Sequence, residues 1–188
     1  MVSAQEQNLR AFICIDFPDE VIKKVVRIQK LISKKQFVGK LTELENLHLT
    51  LKFLGEIDEK TLNRIEKMLS EIKFPTLNLQ LESVGTFSYG GNPKIVWIKV
   101  IGNLFELQKK IDSLLENLLP KEGRFMSHLT IARLKYVKDK KDFIDYISKI
   151  KLKPIKFVVN SFKLKSSELR PECPVYKTLK EFSAIRPN

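Results

Sequence analysis

Apolar residues recur along this chain at two spacings, and the switches between them set out the predicted elements. Leu9 to Phe17 is dense in β-branched and aromatic residues and stops at Pro18, which predicts a strand. Asp19 is placed to cap a following helix that carries Val21, Ile22, Val25, Val26 and Ile32 on one side. Leu47 to Leu54 alternates as a second strand, and Gly55 to Asp58 lead into a helix with Leu62, Ile65, Leu69 and Ile72 on its apolar stripe. Leu77 to Phe87 and Lys94 to Ile101 predict a hairpin around Gly90, Gly91, Asn92 and Pro93. Asn103 is placed to cap a helix whose stripe is Leu104, Leu107, Ile111, Leu114, Leu115 and Leu118, closed by Pro120. Leu129 to Tyr136 predicts a strand and Asp142 to Ile150 a short helix; Ile155 to Lys165 and Val175 to Phe182 predict closing strands. The order gives an α+β fold with mixed or antiparallel sheet.

No Gly/Ser-rich or Pro-rich linker divides the 188 residues, so one domain over residues 1–188 is expected. The sequence contains an echo of itself. His48-Leu49-Thr50-Leu51 and His128-Leu129-Thr130-Ile131 match at a separation of 80 residues, each on a predicted strand. Two similar lobes meeting at a shared groove would account for it.

Composition changes the picture in two ways. The 34 Lys and Arg against 22 Asp and Glu leave a formal charge of +12, which favours a polyanionic partner, although a soluble Lys-rich surface accounts for it as well. Cys14 and Cys173 stand far apart, outside any zinc or disulfide spacing, which fits a reducing cytoplasm. Met1 to Gln7 lacks a secretory pattern and no apolar run reaches membrane-spanning length, so a cytoplasmic protein without membrane contact is expected.

The only two histidines both stand in the repeated motif. Strict alternation puts His48, Thr50 and Lys52 on one strand face and Leu47, Leu49, Leu51 and Phe53 on the other; His128, Thr130 and Ala132 likewise oppose Leu129 and Ile131. Packing alone needs only size and apolarity, so it does not account for both histidines falling in one pattern. Imidazole titrates near pH ~6.5, so one ring can take a proton while the other gives one, and threonine hydroxyls can bond phosphate oxygens. The set suits in-line displacement at phosphorus. Catalytic zinc wants a third ligand, and no HExxH, GxSxG or Cys motif is present.

These residues resemble the two-histidine phosphoesterases with paired HxTx motifs, and among them the RNA 2′,3′-cyclic phosphodiesterases, the LigT-like proteins once called 2′-5′ RNA ligases. The likeness is carried by Arg10-Ala11-Phe12-Ile13 with Pro18, by Asn46 to Glu56 around the first motif and by Pro93 to Trp97. It continues through Arg124 to Arg133 around the second motif and ends with Ser167-Glu168-Leu169, Pro174 and Tyr176. Ser127, Lys94 and Cys173 depart from the family's usual Pro, Arg and Gly.

The resemblance implies an α+β fold of two pseudo-twofold-related lobes of antiparallel sheet flanked by helices, with the active-site groove between them. It implies hydrolysis of RNA-terminal 2′,3′-cyclic phosphate to a 2′-phosphate, with no metal and no cofactor. By the same likeness His48 donates a proton to the leaving 3′ oxygen, His128 activates water, and Thr50 and Thr130 hold the phosphate. Arg133 is a further phosphate candidate, provided a bulge turns it from the core face, and an ion-pairing surface Arg is the alternative. Phe12, Phe53 and Tyr176 are candidate base contacts, with core packing the first expectation for Phe53, and Lys34, Lys35 and Lys40 could steer RNA or be ordinary solvated charges. RNA ends, tRNA fragments among them, are the expected partners of a monomer. Ligation at the same site and a non-catalytic RNA-binding module are the alternatives.

Overall fold

A computed structural model describes residues 8–171 and 173–185. The Met1 to Gln7 stretch, read above as lacking a leader, lies outside the described residues. In chain order the elements are β1 (Leu9–Asp16), α1 (Asp19–Ile32), β2 (Val38–Leu41), β3 (His48–Ile57), α2 (Glu59–Ser70), β4 (Leu77–Tyr89) and β5 (Asn92–Gly102). They continue with α3 (Phe105–Leu114), β6 (His128–Tyr136), α4 (Lys140–Ser148), β7 (Ile155–Val159), β8 (Ser161–Glu168) and β9 (Val175–Ser183). No helix among the described residues is long and apolar enough to cross a membrane.

All strand pairings are antiparallel, and the strands form one sheet in the order β7-β4-β5-β6-β3-β1-β8-β9, with β2 on β6 beside β3. The two motif strands lie at its centre, with three strands in line on each side and β2 beside them. They touch through a single pair, Leu49 with Leu129. Both leucines are fully buried, and each contributes about 1.5–3 kcal/mol by leaving water. The expected lobes are therefore the two halves of one continuous sheet, related by a pseudo-twofold through that pair. Neither half is a single stretch of sequence: β4 follows the first motif but pairs with β5, while β8 and β9 return from the C-terminal end to pair beside β1.

Three local expectations are corrected. The run from Ile155 to Lys165 is two strands broken at Asn160, with β7 on β4 at one edge and β8 on β1 in the other half. Asn103 does not cap α3; its side chain accepts from Asn78 N at 2.8 Å and donates to Thr76 O at 3.1 Å, tying the helix entry to β4. Asp19 sits inside the first turn of α1 behind Pro18, where its charge still favours the helix N-terminus. At the hairpin, Gly90 and Gly91 have φ of 54° and 73°, the left-handed values a two-residue turn between twisted strands needs. Asp58 caps α2 by accepting from Thr61 N at 2.6 Å, and Asp139 caps α4 in the same way.

Candidate active site

Both motif strands carry one extra residue at the same place, three positions after the histidine. On β3, Thr50 pairs with Cys14 and Lys52 with Ile13, leaving Leu51 unpaired. On β6, Thr130 pairs with Trp97 and Ala132 with Val96, leaving Ile131 unpaired. A bulge of this kind shifts the alternation by one. Arg133 therefore faces the groove and is exposed, as the sequence required of it. The same shift overturns two expectations for β3. Lys52 turns into the core at 2% exposure, where its ammonium bonds the Asp112 carboxylate and Pro120 O, and Phe53 comes out to 63% exposure.

The histidines sit in matching settings. His48 Nδ1 lies 2.7 Å from Asn46 O, and His128 Nδ1 lies 2.7 Å from Met126 O. A carbonyl only accepts, so each Nδ1 carries the hydrogen and each Nε2 keeps its lone pair for chemistry. Carried one residue to either side of the Leu49 and Leu129 pair, the antiparallel register sets His48 across from Thr130 and Thr50 across from His128. Facing side chains in such a pair stand about 5 Å apart at Cβ, so two rings and two hydroxyls ring a space the size of one phosphate.

The surroundings break the symmetry. Phe12 packs against His48 with ring centres 4.9 Å apart and planes tilted by 36°, and Tyr176 closes a second side of that ring edge-on at 5.2 Å. Phe12 is only 3% exposed, so its faces are spent on His48 and Tyr176 and it serves to fix the imidazole. Tyr176 is half-buried, its hydroxyl pKa raised by burial, and it borders an open depression of the groove face lined by Arg10, Glu56, Ser167 and Lys177. His128 meets Phe87 edge-on at 5.0 Å, and Phe87 leans on Trp97, whose indole covers Gly85. A Cβ on Gly85 would come within 2.4 Å of that indole, so glycine is needed there.

Burial pushes His48 down to about 4; the Asn46 carbonyl opposes this, while Lys165 reinforces it. His128 is lowered too, by burial first. Asp16, across from His48, is held ionised against its own burial by Lys165 at 2.6 Å and Lys163 at 3.0 Å. Cys14 beside Thr50 is fully buried and pushed up to about 12, so it stays a thiol. Of the candidate residues, His48, Thr50, His128, Thr130 and Arg133 thus share one groove face. Asp16, Lys165, Phe87 and Trp97 were missed in the sequence. All four lie on strands flanking the motif strands or beyond, where only the two-residue period hinted at their side.

Ser127 shows why a departure from the family pattern is tolerated: its hydroxyl donates to Val100 O and its carbonyl accepts from Val100 N at 3.1 Å, fixing the approach to His128.

Known proteins resemble this chain over most of its length. Residues 15–97 and 99–176 match the profile of the family described as LigT like phosphoesterase. The RNA 2′,3′-cyclic phosphodiesterase of Methanocaldococcus jannaschii is 36% identical over 177 residues, covering 93% of this chain and 100% of that protein. The enzyme of the same name from Archaeoglobus fulgidus is 37% identical over 178 residues, covering 93% and 99%. Among solved structures, a Thermus thermophilus protein superposes with a TM-score of 0.78 at 26% identity, over 93% of this chain and 97% of that one. Escherichia coli LigT with 3′-AMP shares the fold, with a TM-score of 0.72 at 22% identity, over 96% and 100%.

Proposed function

Because the chain belongs to the LigT-like phosphoesterase family, we propose that it hydrolyses RNA-terminal 2′,3′-cyclic phosphate to a 2′-phosphate in the groove between β3 and β6. The observation that carries the reading is the pair of histidines, each with Nδ1 tied to a carbonyl two residues back and Nε2 left for the substrate. Water attacks phosphorus opposite the 3′ oxygen, and His128 Nε2 takes its proton. The bond from phosphorus to the 3′ oxygen breaks, and His48 gives that oxygen a proton from Nε2. A 2′-phosphomonoester and a free 3′-hydroxyl remain, and His128 returns its proton to solvent while His48 takes one up. Thr50, Thr130 and the Arg133 guanidinium hold the non-bridging oxygens and meet the charge that grows on them.

Burial favours the neutral form of both rings, so His48 can give a proton from Nε2 only after taking up a second one there. A bound phosphodiester anion favours that doubly protonated form, and the family likeness assigns it to His48 and the neutral form to His128. Within this reading the chain works as a monomer in the cytoplasm, on cleaved RNA ends such as tRNA fragments.

The test is turnover of a short RNA ending in 2′,3′-cyclic phosphate by EDTA-treated protein. His48→Ala and His128→Ala should each lose about 10²–10⁴-fold in kcat with the fold intact. A substrate with sulfur at the bridging 3′ position separates the roles, because a thiolate leaves without a proton: it should restore much of the His48→Ala rate and little of the His128→Ala rate. Full activity in either histidine variant on the oxygen substrate overturns the mechanism.

A further inference from the structure

The positive charge of this protein is concentrated. Residues 23–35 carry six Lys and Arg and no acid, and residues 135–156 carry eight lysines against three aspartates. These two stretches hold eleven of the twelve excess positive charges of the whole chain. All of their cations but Lys35 are exposed. Spreading the same charge over the surface would serve solubility with less self-repulsion, so its concentration points to a polyanion.

The fold brings the two stretches together, although 107 residues separate Lys35 from Asp142. Lys35 Nζ lies 2.7 Å from the Asp142 carboxylate and 4.9 Å above the Tyr146 ring, and the Tyr146 hydroxyl donates to Leu31 O at 3.0 Å. The end of α1 is thereby fastened to α4. Lys35 with Asp142 is the one ion pair that ties these cations to an acid among the described residues.

This surface is also continuous with the groove. β6 runs from His128 through Arg133 to Tyr136 and delivers the chain to Lys138, while β2, next after α1 in the chain, pairs with Arg133 through Lys40. Tyr136 at 59% and Val38 at 56% exposure face each other along that path and offer apolar contact to sugars or bases. At about 3.3 Å per residue, the junction of α1 and α4 begins roughly 25 Å from His128. A mononucleotide cannot span that distance; an RNA tail can.

We propose that the α1 and α4 surface binds the phosphate backbone of the RNA upstream of its cyclic end, as a contact region separate from the groove. The proposal rests on the hydrolase reading above. It makes RNA length a determinant of affinity and leaves the chemical step to the groove.

The test compares a dinucleotide with a long RNA stem–loop, both ending in 2′,3′-cyclic phosphate, on wild type and on the triple variant Lys34→Glu, Lys138→Glu, Lys141→Glu. The KM for the stem–loop should rise at least about tenfold in the variant, with kcat and both dinucleotide constants unchanged. In wild type, the log–log salt dependence of kcat/KM should be steeper for the stem–loop by about 0.7–0.9 per phosphate contacted, and the variant should lose that excess. Equal constants for variant and wild type on the stem–loop overturn the proposal. So does an equal loss on both substrates that persists in the milder Lys→Gln triple. Phosphatidylserine vesicles that bind wild type but not the variant, with stem–loop kinetics unchanged, would mark a lipid surface and overturn it too. Should wild type turn over neither substrate, the hydrolase reading fails alone, and stem–loop binding by wild type and variant still decides the surface.

Discussion

His48 and His128 are alike in hydrogen bonding and unlike in surroundings, and the difference has a consequence for stability. In the unfolded chain His48 takes up a proton near its ordinary 6.5, whereas in the fold burial holds it to about 4. Between those values the unfolded state binds more protons, so stability is fully present above about pH 6.5 and falls as pH drops toward 4. The full difference is of order 3 kcal/mol. Urea unfolding of wild type and His48→Gln at pH 7 and pH 4.5 should show the variant losing much less stability on acidification. An equal loss would mean that His48 protonates freely in the fold. The motif residues were legible in the sequence because the pattern repeats. Phe53 and Lys52 were not, since a strict two-residue period assigns each to the opposite face from the one it takes.

At the scale of elements, the bulges at Leu51 and Ile131 turn the residue five places after each histidine back to the groove, Phe53 on one side and Arg133 on the other. Sequence reasoning could ask for a bulge at Arg133 because a charged side chain is costly in a core. It had no such prompt at Phe53, where an aromatic satisfies either face. On the core side, Lys52 answers Asp112, and the Asp112 carboxylate accepts Glu122 N at 3.0 Å, so one buried ion pair fastens β3 to α3 and to the loop that returns to His128. Removing one partner leaves a buried charge unmatched, and Lys52→Met should cost about 3–5 kcal/mol. The double variant Lys52→Met, Asp112→Leu should cost clearly less than the two single losses together, as a denaturation cycle would measure. Simple additivity would show that the pair does not act as a unit.

Across the whole molecule, long periodic helices and hairpins could be read in advance, while the destinations of strands could not. Nothing local to Asn160 says that β7 joins β4 and β8 joins β1, because edge choice depends on partners as far apart as Ala11 and Ser166. Since β8 supplies Lys163 and Lys165 to Asp16 and β9 supplies Tyr176 to His48, a chain ending at residue 160 would bare one edge of β1 and strip one wall of the groove. Such a truncation should aggregate or lack a cooperative melting transition by circular dichroism. A cooperative, monomeric product would show that the rest of the chain stands without its returning strands. The central dyad between Leu49 and Leu129 reaches further still. Two rings and two hydroxyls arranged about that axis look the same to a phosphodiester threaded in from either end, like a plug that fits both ways round. The unlike surroundings, Phe12 and Tyr176 against His48 and Phe87 against His128, together with the unlike Phe53 and Arg133, are what tell one end from the other, so any direction in which a strand is read is keyed by residues outside the acid–base machinery.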